Sequence, residues 1–124
     1  MRKKKRGEGF NPVPRKPKSE QYHIRKPNFM ILSDEYKSLK PCSKALMDCM
    51  QIHHFVNKYT AYGGAQAAKE TGYKSTAISA AFLELMKKGF IHLQENYNHS
   101  GGKTRTWEMT WMSYFAKPPR DLWR

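Results

Sequence analysis

The sequence predicts an α+β domain of three helices and a small antiparallel sheet, set between two tails. Three observations predict it. Apolar residues recur at helical spacing from Lys44 to Asn57 and from Ser75 to Lys88. Gly72 and Gly89 stand where two helices should stop. Phe90–Tyr97 and Thr104–Trp111 alternate as strands and are joined by the glycine-bearing loop Asn98–Lys103. The 124 residues suffice for one such domain.

Residues 1–28 read as a flexible basic arm. They hold Pro12, Pro14, Pro17 and Pro27, and few large apolar side chains to offset ordering entropy. Ten of the 23 Lys and Arg lie here against Glu8 and Glu20, a net +8, and the remaining thirteen face eight acids, a net +5. Most of the total +13 therefore sits in the first quarter of the chain. A field concentrated in this way draws polyanions, nucleic acid first among them, with an acidic membrane surface as the rival. Solubility alone does not call for such clustering.

The domain proper is expected over 29–111. Phe29–Leu32 is a short apolar run that suits a buried strand. Ser33 offers a cap to a short helix ending near Leu39, with Asp34 and Glu35 in its first turn. Ser43 reads as the next cap. The helix after it buries Ala45, Leu46, Cys49, Met50, His53 and Val56, and Met47, Ile52 and Phe55 widen the stripe. Asn57–Gly64 reads as a linker. Ala65–Thr71 is a short alanine-rich helix closed by Gly72. Ser75 or Thr76 caps the next helix, whose inward face is Ile78, Ala81, Phe82 and Leu85. Trp107, Met109 and Trp111 share one strand face, turned towards the helices. Residues 112–124 form an aromatic and basic tail without clear period.

Several chemistries find no support. No apolar run of about 18 residues exists to span a membrane. The basic start is followed by Gly7–Pro12 instead of an apolar stretch, so it does not read as a secretion signal. Cys42 and Cys49, seven residues apart on one helix, lie about 10 Å from each other and cannot bridge. Cys49 and His53 share a helix face, but two ligands do not make a structural metal site, and His92 and His99 read as strand and loop residues. Ser100–Thr104 lacks the glycine spacing of a phosphate loop, and no nucleophile elbow or carboxylate pair is present. The expectation is a non-enzymatic protein with no cofactor and no metal.

The informative stretch is Ala65 to Leu93. A short helix ends at a glycine, the chain turns, and a second helix follows, which is a helix-turn-helix arrangement. The run from Lys74 to Ile91, with its exit Leu85-Met86-Lys87-Lys88-Gly89-Phe90-Ile91, resembles the recognition helix of the winged helix-turn-helix superfamily and its passage into the wing. It is similar in particular to small bacterial, plasmid and phage-type regulatory and replication domains. The resemblance covers residues 29–111.

That resemblance implies a three-helix core with a C-terminal β-hairpin wing. It implies that Lys74, Ser75, Thr76, Ala77, Ser79, Ala80 and Leu83 form the outward face of a DNA-reading helix, with Lys103 and Arg105 in the wing. The charge pattern adds Arg2, Lys3, Lys4, Lys5 and Arg6 as phosphate contacts from the arm. The expected partner is double-stranded DNA, in transcriptional regulation or replication initiation, in a cytoplasmic, nucleoid-associated setting with no membrane contact. One departure stands out. Ala80 and Leu83 occupy positions where the family commonly carries Arg, Lys, Asn or Gln, the side chains that read base edges. Specificity then comes from wing and arm, or binding is sequence-independent, or the face meets protein with Leu83 as anchor. Rival expectations are a protein-interaction module on this scaffold, a homodimer formed through residues 112–124, and RNA or single-strand binding. For the last, Phe90, Tyr97, Trp107 and Trp111 are candidate stacking residues, although strand aromatics are more often core. Tyr62 and Tyr73, which flank the alanine-rich helix, are further candidate phosphate contacts.

Overall fold

A computed structural model of the chain describes residues 22–96 and 103–124. The order of elements is α1 (Asn28–Ile31), α2 (Asp34–Lys37), α3 (Pro41–Ile52), β1 (Thr60–Ala61), α4 (Gly64–Thr71), α5 (Ser75–Lys87), β2 (Ile91–Glu95) and β3 (Thr106–Met109). The three strands form one antiparallel sheet in the order β1-β3-β2. Thr60 lies opposite Trp107, Ile91 opposite Met109, and Leu93 opposite Trp107. Helices α3, α4 and α5 pack on one another, and α5 leads into β2. The result is a mixed fold of helices and a small sheet, of the predicted α+β class.

The local chemistry explains most elements. Ser33 Oγ accepts the Tyr36 amide at 3.1 Å, so the predicted cap starts α2. Pro41 opens α3 from its first position, where its missing N–H costs nothing. Gly72 (φ 80°) and Gly89 (φ 84°) both take the left-handed conformation that stops α4 and α5. The predicted inward face of α5 is closed to solvent at Ile78, Ala81, Phe82 and Leu85.

Four expectations need correction. Phe29–Leu32 lies in and just past the helical turn α1 and is not a strand. Only Met30 of the four is buried, and a run this short carries no period to separate the two. Ser43 does not cap α3. It lies inside the helix, buried, and its hydroxyl donates to Glu84 of α5. The helix ends at Ile52, before the predicted Asn57, so the helical phase is lost beyond it and Phe55 and Val56 stand exposed, while Ile52 lies within the helix but off its buried face. The supposed linker contains β1, a two-residue strand too short to alternate visibly.

Residues 112–124, set apart in the sequence, pack onto the body. Tyr114 and Trp123 are buried. Trp123 stacks on Phe90 with centroids 5.7 Å apart and planes at 6°, and it also meets Phe29 at 5.6 Å. A Cβ built on Gly89 collides with the Leu122 carbonyl, so the tail crosses where only glycine allows it. Thr110 O accepts the Asp121 amide at 2.8 Å. At the other end, Lys26 pairs with Asp48 and lies 5.9 Å from the Trp111 ring. Trp123→Ala is expected to destabilise the fold by about 3 kcal/mol. Urea denaturation with an unchanged m-value checks this; a midpoint equal to wild type would show the tail to be ornamental.

Candidate nucleic-acid interface

The site begins with the packing of α4 against α5. Ala67, fully buried, lets the two helices approach. Gly72 N–H closes α4 on Ala68 O at 3.0 Å, and Thr71 Oγ1 accepts the Tyr73 amide at 3.2 Å, which shapes the turn. Helix α5 then leaves with Lys74 as its N-cap residue, and no side chain caps it, contrary to the role expected of Ser75 or Thr76. Both hydroxyl residues point to solvent instead. Lys74, Ser75, Thr76, Ser79, Ala80 and Leu83 are all exposed, whereas Ala77 is half-buried, its carbonyl accepting Cys42 Sγ of α3 at 3.6 Å.

The charge on the exposed face of α5 follows from where its acids go. Glu84 is the one acid of α5, and it turns back to the start of α3. There it accepts the Lys40 amide at 3.3 Å and the Ser43 hydroxyl, with Lys88 Nζ at 3.2 Å. It thereby supplies the cap that α3 lacks. Burial opposes ionisation of Glu84, but the bonds from Ser43, Lys40 and Lys88 outweigh it and hold its carboxyl below the usual range. Glu70, the one acid of α4, is drawn in likewise. It accepts Tyr62 OH at 2.7 Å and Gln66 Nε2 at 3.2 Å, and pairs with His53 at 3.0 Å. Again burial works against the charge and these partners overcome it. Lys69, Lys74 and Lys87 remain exposed, with no ion pair to a described residue.

The wing cations are less free than expected. Lys103 Nζ lies 3.2 Å from Glu95. Arg105 is half-buried, its guanidinium 4.8 Å from the Phe82 ring and 5.1 Å from the Trp107 ring. It is a stacked group at the root of the hairpin and not an extended fingertip. Arg2, Lys3, Lys4, Lys5 and Arg6 lie outside the described residues. Tyr62 is fully buried and is no phosphate contact, whereas Tyr73 is exposed. Phe90, Trp107 and Trp111 are core, so they cannot stack on bases, and Tyr97 lies outside the described residues. Cys49 is half-buried and His53 is committed to Glu70, and among the described residues no cluster of three metal-ligating side chains occurs.

Sequence reasoning missed the groove beside α5. A hollow of about 500 Å³ runs between α3 and α5, with Cys42, Ala80 and Leu83 on its apolar wall and Lys40 and Lys87 at its edges. Only the pairing of α3 with α5 brings these residues together, and no local pattern encodes it. Glu84→Gln is expected to cost about 1 kcal/mol at neutral pH. Because the native carboxyls of Glu84 and Glu70 titrate lower than in the unfolded chain, their contribution is present above the ordinary carboxylate range. It is lost as pH falls through the lowered values. Urea midpoints taken from neutral to acid pH should therefore fall less steeply in the variant than in wild type.

No protein-family model and no curated protein matches the sequence. A solved structure, the N-terminal domain of a DNA-binding protein, is similar in fold, with a TM-score of 0.52, 14% identity and 82% of each chain covered. Among the described residues no helix is long and apolar enough to cross a membrane.

Proposed function

We propose that this chain binds duplex DNA as a winged helix-turn-helix domain, without enzymatic activity. The observation that carries the reading is the open face of α5. Six of its seven predicted residues are exposed, its single acid is turned away, and lysines flank it. A helix of this width fits the major groove. The uncapped amides of its first turn suit phosphate. The order α3-β1-α4-α5-β2-β3 with a β1-β3-β2 sheet accords with a winged helix, and the fold likeness to a domain of a DNA-binding protein accords with DNA binding.

In this reading Ser75, Thr76 and Ser79 face base edges and phosphates, and Lys74 meets phosphate. Arg105, fixed on two rings, presents its guanidinium edge to the backbone. Lys103 exchanges Glu95 for phosphate. The arm Arg2–Arg6 tracks the duplex, in the cytoplasm and in the service of transcriptional regulation or replication initiation. Ala80 and Leu83 offer no donors, so recognition rests on backbone and shape more than on base edges.

Six to eight phosphate contacts would give a slope of log affinity against log salt of about −5 to −7 in gel-shift titrations. Lys74→Ala should make that slope shallower by about 0.9. A slope near zero, or no shift on any duplex at low salt, sinks the assignment.

The exposed Leu83 beside the α3–α5 hollow favours a second reading, a protein-docking face on the same scaffold. Leu83→Glu separates the two. Duplex affinity should change modestly, by about threefold, if DNA lies there, since Leu83 carries no donor and one side chain perturbs a many-contact interface little. Loss of a co-purifying partner with duplex binding intact would favour docking.

A further inference from the structure

We infer a second nucleic-acid site, for an unpaired nucleotide, on the sheet face turned away from α5. Alternation along β3 sends Trp107 and Met109 to the helices, so Thr106 and Glu108 face the other way, with His92 opposite Glu108 on β2. No described helix covers that side. The chain from Met112 to Arg120 crosses it instead and leaves a hollow of about 370 Å³, within the range that holds small ligands.

The wall of the hollow has the parts that a nucleotide needs. Tyr59 and Phe115 meet edge to face at 5.1 Å and present ring surface, Phe115 being 46% exposed. Gln94 Nε2 is held by His92 Nδ1 at 2.8 Å and by Glu108 at 3.4 Å, which leaves the Gln94 carbonyl oxygen and His92 Nε2 for a base edge. Lys117, exposed and without an ion pair to a described residue, supplies positive charge at the rim. The one acid in the hollow is neutralised, since Glu108 is buried beneath Arg120, which donates to it from Nε at 2.9 Å. A stacking ring beside a cation is how single strands are gripped without sequence preference.

Two further observations point the same way. Phe115 (φ 54°) and Ala116 (φ 60°) are consecutive non-glycine residues in the left-handed region, a strained arrangement that sets the Phe115 ring on the rim. Met112 also lines a second hollow of about 680 Å³, whose wall includes Tyr22, exposed at 70%, and Arg25. The two hollows thus meet at Met112, and an aromatic ring and a cation line each of them, as a track for several nucleotides would require. This site does not depend on the duplex reading, because none of its residues belongs to the α5 face.

The test uses the full chain, with fluorescence anisotropy of an oligothymidylate of about 12 nucleotides and, separately, of a duplex. Phe115→Gly removes the ring and relieves the backbone, and Lys117→Gln removes the charge. Together they should weaken oligothymidylate binding roughly tenfold while duplex affinity stays within about twofold of wild type. Unchanged oligothymidylate binding in the double variant overturns the proposal. So does equal competition by polyglutamate, which would reduce the site to charge, or an equal loss on Lys74→Ala with Thr76→Glu, which would put the strand on α5. Should Phe115→Gly melt early by circular dichroism, Lys117→Gln alone carries the test, with roughly a threefold loss expected.

Discussion

The arrangement depends above all on Trp107. It is fully buried in the middle strand, with Thr60 of β1 opposite it on one side and Leu93 of β2 on the other. Its ring stacks on Phe82 of α5 at 5.1 Å and 17°, and its indole N–H donates to Tyr62 O at 3.0 Å. One side chain therefore fixes α5 to the sheet and the sheet to the segment that enters α4. Arg105 lies over the same two rings and shields the stack from solvent. Such a buried ring, with its N–H satisfied, contributes both area and orientation. The outward aim of α5 is set by this contact on one flank and by the Glu84 link to α3 on the other.

The use of the acids follows from that framework. Glu84 and Glu70 each close a junction between helices, α3 to α5 and α3 to α4. Their charges are consumed where the backbone and neighbouring hydroxyls need them, so the solvent face of α4 and α5 is left cationic without many lysines. Local stability and the external field are thus produced by the same residues. A substitution at either glutamate alters both, which makes charge-swap experiments on this domain informative only when stability is measured alongside binding.

What the sequence made legible was whatever obeys a local rule. The inward face of α5 follows from its period, Gly72 and Gly89 from the need for positive φ, and Ser33 from cap chemistry. What stayed hidden depends on long-range pairing. β1 is two residues long and exists because β3 lies beside it. Ser43 looked like a cap because its partner Glu84 lies 41 positions away. The tail from Met112 has no period because it is shaped by what it crosses: Trp123 by Phe90, Tyr114 by Thr60 Oγ1 at 2.9 Å. The open face of α5 was legible, whereas the stacking of Arg105 and the hollow under Phe115 were not, since the first joins the root of β3 to α5 and the second joins residues from three separate segments.

The composition of the α5 face bears on what kind of binding the proposed function implies. Base discrimination in the major groove rests on bidentate donors, chiefly Arg to guanine and Asn or Gln to adenine. Ser75, Thr76 and Ser79 are short, and Ala80 and Leu83 carry no donor, so this face can fill the groove without distinguishing most steps. Phosphate contacts from lysines and helix amides then supply the larger share of the free energy, and that share carries no sequence information. A protein of this kind finds its place by DNA shape, by a partner or by a locally unpaired strand. The last of these alternatives needs a surface that accepts bases, and the sheet face opposite α5 offers the exposed Phe115 ring near Lys117, which the buried tryptophans cannot.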